Sequence, residues 1–248
     1  MNSYLNLGAY YYDLIRTDPP KEAYAFYLSY AKQASGILLE PMCGSGRFLL
    51  PLVQAGFDIQ GFDASDHMLS LLSDKANRKN LSVTVSKSYI ESFKSIYLYS
   101  LIFIPSGSFG HLIEMDIVTT ALNNLYRLLE KDGTFVFEVE TSKILPKQLD
   151  EVFHDEKMLP NGDIIQVERT VNLENNVITS KDKYSLVQND FIVRTEHENL
   201  HVRLYDDLEP LISMLNKSGF SNISIMSEYN RNASYENNSR VIILECRK

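Results

Sequence analysis

The sequence predicts an α/β fold: a doubly wound, mostly parallel seven-stranded sheet with a terminal antiparallel hairpin and an inserted antiparallel β meander. Three observations lead there. Short apolar runs alternate with helix-period segments up to residue 140, the order that builds a parallel sheet covered on both faces. Residues 151–204 then read as strands, broken at Asn161-Gly162, Asn175-Asn176 and Asn189-Asp190, turns suited to hairpins. After a helical stretch, two last apolar runs supply a hairpin for the edge of the main sheet.

In chain order, a helix carrying Tyr10, Tyr11, Tyr12 and Asp13 comes first. Three adjacent tyrosines on a helix cannot face one way. Asp18-Pro19-Pro20 forms a loop that opens a second helix at Glu22. Strands are expected at 37–39, 58–62, 81–86, 98–104 and 134–140, with a helix over 117–130 that stops at Lys131-Asp132-Gly133. Ser65 is a candidate N-cap for a helix whose apolar face is Met68, Leu69, Leu71 and Leu72. Residues 206–217 return to helix, closed by Gly219, and 223–226 and 241–245 are the final strands. With no repeat or low-complexity linker, 1–248 reads as one domain and 151–204 as an insertion in it, a lid or a dimer surface.

With 248 residues and 44% hydrophobic content, the chain has material for a sizeable core. A formal charge of −8 argues against nucleic acid or an anionic membrane as the main partner, since phosphate binding draws on clustered Lys and Arg. No apolar run has membrane-spanning length. Two cysteines far apart, Cys43 and Cys246, and no leader pattern favour a reducing, cytoplasmic setting without a disulfide framework.

The densest chemical signal is Ile37-Leu38-Leu39-Glu40-Pro41-Met42-Cys43-Gly44-Ser45-Gly46-Arg47-Phe48. An apolar strand ends in an acid, and two glycines then let the backbone approach a ligand ahead of a helix N-terminus. A dinucleotide fingerprint would need Gly or Ala at position 49, where Leu49 stands. Glu40 would repel a pyrophosphate and welcome a ligand ammonium. Asp63, at the carboxyl end of the second strand, is placed to bind a ribose diol, so an amino-acid-bearing nucleoside fits the pair.

From Glu40 through Met68 the chain resembles the class I S-adenosylmethionine-dependent methyltransferases of small-molecule type, and the order of elements extends the resemblance from about residue 10 to the C-terminus. The resemblance implies S-adenosylmethionine as cofactor. Gly44 and Gly46 would border its methionine part, Glu40 would serve its amino end, Asp63 its ribose, and the backbone at Ile104 would meet the amino group. Ala64 and Met68 complete the candidate set near the adenine, with core packing the competing use of Met68. Ser88-Tyr89-Ile90 stands where the family often has an acid against the adenine amine, and Ser100 where the fourth strand often begins with Asp. Ser88 and Tyr89 are accordingly the candidates for that side. A Tyr-Asp pair in an N-terminal helix folded over the cofactor is common in these relatives, which points to Tyr12.

His111, in the loop after the fourth strand, is a candidate base for the acceptor, its pKa suited to that near neutrality; the competing use is a hydrogen bond within the loop. The implied chemistry is displacement at an activated methyl by nitrogen or oxygen of a small-molecule acceptor, for which positioning supplies roughly 7 to 11 kcal/mol. A homodimer through the inserted sheet is a further expectation. His197-Glu198-Asn199-Leu200-His201 matches H-E-x-x-H but lies in strand-like surroundings, where residues four apart are separated by roughly 13 Å. Two such histidines cannot share one zinc at about 2 Å, and no metal is expected. Two other classes stay open: a cofactor-binding scaffold without catalysis, and an NAD-binding oxidoreductase, which Leu49 disfavours.

Overall fold

The computed structural model describes residues 4–145, 149, 151–231 and 239–248. Among these residues six α-helices cover the sheets: α1 Asn6–Ile15, α2 Lys21–Ala31, α3 Leu49–Gln54, α4 Asp66–Arg78, α5 Met115–Leu128 and α6 Glu209–Lys217. The strands are β1 Leu38–Pro41, β2 Ile59–Asp63, β3 Thr84–Lys87, β4 Tyr99–Ile104, β5 Leu129–Glu140, β6 Phe153–Met158, β7 Ile164–Glu174, β8 Val177–Gln188, β9 Phe191–Arg203, β10 Ser221–Ser227 and β11 Val241–Arg247. The main sheet has the order β10-β11-β5-β4-β1-β2-β3, and β6-β7-β8-β9 form a separate antiparallel meander. β1 to β5 are parallel, whereas β11 pairs antiparallel with both β5 and β10.

Successive residues of each buried strand point to opposite faces, so the sheet carries two cores. Leu39, Ile102, Ile104, Phe135 and Phe137 pack under α5 and α6. Leu38, Leu101, Phe103 and Val136 pack under α2, α3 and α4. The chain leaves β1 toward β2 and β3 and returns on the other side with β4, so β1 and β4 flank the point where strand order reverses. Ligands of open α/β sheets bind in the crevice beyond the carboxyl ends of the strands at such a point.

Several boundaries differ from the sequence reading for local reasons. β3 begins at Thr84 and not at 81, because the Leu81 amide is spent closing α4 on the Ala76 carbonyl, with Asn80 in the left-handed region. α5 ends at Leu128 because Leu129 already pairs with Tyr99, and the 131–133 turn becomes an irregularity within β5. α6 starts at Glu209, whose amide bonds the Asp207 side chain, and not at 206. Ser65 caps α4 by accepting from the Met68 amide. In the meander both residues of Asn175-Asn176 and of Asn189-Asp190 have positive φ, the backbone twist that two-residue hairpin turns require. No helix among the described residues is long and apolar enough to cross a membrane.

Candidate functional site

A cavity of about 570 Å³ opens over the carboxyl ends of β1, β2 and β4. Its floor is made by Glu40, Met42, Gly44 and Ser45 after β1, by Asp63, Ala64 and Ser65 after β2, and by Ser88 and Tyr89 after β3. α1 lies across it and contributes Tyr12, with Tyr4 just before the helix, above Met68 of α4. The far wall is the segment after β4, including Pro105, Ser106, Ser108, His111 and Glu114, together with His201 of β9.

The loop after β1 has Met42, Gly44 and Gly46 all at positive φ. A Cβ built at Gly44 would meet nothing within 4 Å, so the backbone there faces open space in which a ligand can stand. Asp63 holds this loop: its Oδ2 accepts the Gly44 amide and its Oδ1 the Ser65 amide, each at 2.8 Å. Burial raises the Asp63 pKa, opposed by these amides and that of Ala64. Glu40 is 2% exposed, and its Oε2 has no hydrogen-bond partner. Burial, and secondarily the charge of Asp63, pushes the Glu40 carboxyl well above the usual carboxylate range, while a bond from the Leu49 amide opposes the shift. An orphaned acceptor in a cavity wall is the arrangement a ligand ammonium completes.

Nine of the residues singled out from the sequence line the cavity: Tyr12, Glu40, Gly44, Asp63, Ala64, Met68, Ser88, Tyr89 and His111. Two do not. Gly46 is not among the residues lining the cavity; a Cβ there would lie 2.8 Å from Leu72 Cγ and 3.0 Å from Leu50 Cγ, so the loop packs closely on α4 at this glycine. Ile104 is wholly buried among the residues under α5, and the cavity wall begins one residue later, at Pro105. Ser100 sits at the opposite end of β4, where its Oγ takes the Gly36 amide, so its identity says nothing about catalysis.

The three tyrosines of α1 face three ways. Tyr12 faces the cavity, Tyr11 donates to Asp155 of the inserted sheet at 2.6 Å, and Tyr10 is exposed. Asp13 next to Tyr12 accepts from both Ser45 Oγ and Lys75 Nζ, which pins α1 to the glycine loop and to α4. Across the cavity His111 Nδ1 lies 2.9 Å from the His201 carbonyl oxygen. A carbonyl only accepts, so Nδ1 carries the proton and Nε2 is left as the lone-pair nitrogen. Burial lowers the His111 pKa, more than the carbonyl raises it, and favours the neutral ring. Arg203 fixes the same wall by donating from Nε and Nη2 to the Ile113 carbonyl at 3.0 and 2.7 Å.

His197, Glu198 and His201 are on β9, in extended chain. His201 joins the cavity wall and bonds Thr179, whereas Glu198 is buried against α1. Among the described residues no group of His, Cys, Asp and Glu is arranged to hold a metal ion. Tyr4, Arg47, Glu114 and His201 are lining residues that sequence reasoning missed; long-range packing brings Tyr4 and His201 in, with no local pattern to announce them.

Leu49 also explains why the dinucleotide pattern is broken. Its Cδ1 would lie 2.5 Å from a Cβ at Gly61, so close packing of helix on strand is achieved with the large residue on α3 and the glycine on β2. Residues 38–133, which contain the glycine loop, Asp63 and the wall to β5, match a family model described as a methyltransferase domain. Over that segment the chain is similar to S-adenosylmethionine-dependent methyltransferases. Over 95% of this chain and 96% of its own length, a protein of Geobacillus sp. (strain WCH70) with a provisional methyltransferase name is 22% identical. The methyltransferase fold also recurs in a solved S-adenosylmethionine-dependent methyltransferase from Clostridium acetobutylicum ATCC 824, at a TM-score of 0.78 and 20% identity, covering 96% of both chains. The sugar N-methyltransferase KedS8 from Streptoalloteichus sp. ATCC 53650 superposes with a TM-score of 0.74 at 16% identity, over 96% of this chain and 92% of KedS8.

Proposed function

We propose that this methyltransferase acts on a nitrogen of a small-molecule amine, with His111 taking the proton that the amine must lose. Glu40 and Asp63 would hold S-adenosylmethionine along the glycine loop, and it would supply a methyl group on a positively charged sulfur. The residues present fit that cofactor: the unpartnered Glu40 Oε2 suits its ammonium, and the open space beside Gly44 admits its chain.

The observation that carries the acceptor reading is the tautomer of His111. With Nδ1 bonded to the His201 carbonyl, Nε2 is the atom free to accept a proton, and its basicity, lowered by burial, suits the proton of an ammonium better than that of an aliphatic hydroxyl. The charge of the wall agrees. Arg47 is the only Lys or Arg among the described lining residues, and with Glu40 and Asp63 assigned to the cofactor Glu91 and Glu114 remain, so an amine is better received than a carboxylate or phosphate. A structural relative named for sugar N-methylation supports the same acceptor class.

The test is calorimetry with S-adenosylhomocysteine, followed by transfer of labelled methyl to matched panels of small amines and alcohols. Binding and N-methyl products are expected. Products methylated only on oxygen, or no binding of S-adenosylhomocysteine, would overturn the reading.

A further inference from the structure

The segment that matched H-E-x-x-H holds a buried acid that no zinc explains. Glu198 is 5% exposed on β9, on the face turned to α1, and its two oxygens take the first amides of that segment: Tyr4 N on Oε2 and Leu5 N on Oε1, both at 2.8 Å. Glu196, two residues back on the same face, takes the Leu7 amide at 2.8 Å. A helix leaves its first amides without internal partners, and α1 has neither a capping side chain of its own nor an acid in its first turn. The inserted sheet provides both, the acceptors and the negative charge that a helix N-terminus favours.

Gly8 permits this approach. A Cβ at Gly8 would stand 2.3 Å from Glu198 Oε1 and 2.7 Å from Cδ and Oε2. A side chain at position 8 would push this carboxylate away from the place from which it reaches the amides.

Tyr4 is where the arrangement touches the cavity. Its φ of 52° is in the left-handed region, which a residue with a side chain holds only when its surroundings impose it. Two bonds impose it: the Tyr4 amide donates to Glu198, and the Tyr4 carbonyl accepts from Ser65 Oγ at 2.9 Å. So placed, the Tyr4 ring stands edge-on to Tyr12 at 5.4 Å and to His111 at 6.1 Å between ring centres.

We infer that Glu198 is a positioning residue: it caps α1 from the inserted sheet and fixes the left-handed backbone of Tyr4, and thereby sets Tyr4 and Tyr12 over the cavity. Its effect on ligand binding rests on the methyl-transfer reading; the cap does not.

The test compares Glu198→Ala, Glu198→Gln, Gly8→Ala and the double variant by amide hydrogen exchange in cofactor-free protein and by S-adenosylhomocysteine titration. Glu198→Ala should speed exchange of the α1 amides about tenfold, by loss of the cap, while the β4 and β5 amides stay at wild-type rates. S-adenosylhomocysteine affinity should fall about tenfold alongside, the same loss seen at the cavity. Glu198→Gln, which keeps the shape but offers one acceptor, should fall between. Gly8→Ala should resemble Glu198→Ala when made alone and add nothing when combined with it, because the methyl group then meets no carboxylate. Wild-type exchange in Glu198→Ala, a uniform speeding that includes β4 and β5, or losses that add in the double variant would overturn the assignment. Because exchange is read without cofactor, failure of every protein to bind S-adenosylhomocysteine would count against the methyl-transfer reading alone.

Discussion

The Gly44 amide donates to Asp63 Oδ2 at 2.8 Å, so the acid that ends β2 and the glycine that follows β1 fix each other before any ligand arrives. Asp63→Ala removes an acceptor from this amide and from that of Ser65. We expect a loss of about 1 to 3 kcal/mol in stability by urea denaturation, together with at least tenfold weaker binding of S-adenosylhomocysteine by calorimetry. A variant that binds as tightly as wild type would detach Asp63 from the ligand and leave it a purely structural acid.

Glu40 is poised to lose a proton when a cation arrives. Burial raises its pKa in the free protein, and an ammonium beside Oε2 lowers it, so binding of S-adenosylhomocysteine should release protons and tighten as pH rises. Titrations in buffers of different ionisation enthalpy count those protons. Glu40→Gln should abolish their release and weaken binding by about 10- to 100-fold, the worth of a hydrogen bond to a charged group. Equal proton counts in the two proteins would refute this role.

His111→Asn should lower kcat by about 10²- to 10⁴-fold and leave the affinity for S-adenosylhomocysteine nearly unchanged. In the wild type, the acid limb of the rate profile should fall below the ordinary histidine pKa of 6.5, because burial favours the neutral ring. A limb at or above that value would argue that a different group takes the proton.

Glu138 bears on stability. It is 1% exposed on β5, where Tyr27 and Tyr229 donate to it at 2.7 and 3.0 Å, and burial raises its pKa to about 7 from an ordinary 4.5. A folded pKa above the unfolded one gives stability that is fully present below 4.5 and lost as pH rises through 7, up to about 3 kcal/mol. Urea midpoints should therefore fall from pH 4.5 to 7 and level off above, and Glu138→Gln should flatten that slope. An unchanged slope in the variant would place the titration elsewhere, Glu198 being the next group raised to about 7.

Gly46→Ala tests the reassignment of that glycine. A methyl group at φ 80°, against Leu72 and Leu50, should cost about 1 to 3 kcal/mol in stability. The surviving folded protein should bind S-adenosylhomocysteine with affinity within about threefold of wild type, less than 1 kcal/mol.

The legible parts of the site are those encoded within a few residues of a strand end. Glu40 and Asp63 follow apolar runs whose length and order reveal a buried parallel sheet, so their place above the strand termini follows from chain order alone. Gly46 shows the limit of that reasoning. Glycine spacing reports that something approaches the backbone, and here Leu72 of α4 does so. Tyr4 and His201 were invisible for a different reason: the pairing of α1 with Glu198 spans 194 residues in sequence, and the His111 to His201 bond spans 90. Contacts of that range are set by packing of the meander on the main sheet, which no local periodicity records.

β9 serves two clients from opposite sides, since Glu198 and His201 have opposite parity along one strand. Deleting one residue between them would turn both to the same side and leave either α1 or the cavity wall deserted. The length of this strand is therefore not free to drift, although the composition of its positions outside these contacts is. Diversification among descendants of this sequence should be written as substitutions along β9 and as insertions at the Asn175-Asn176 and Asn189-Asp190 tips, with the count of residues from Glu198 to His201 held constant.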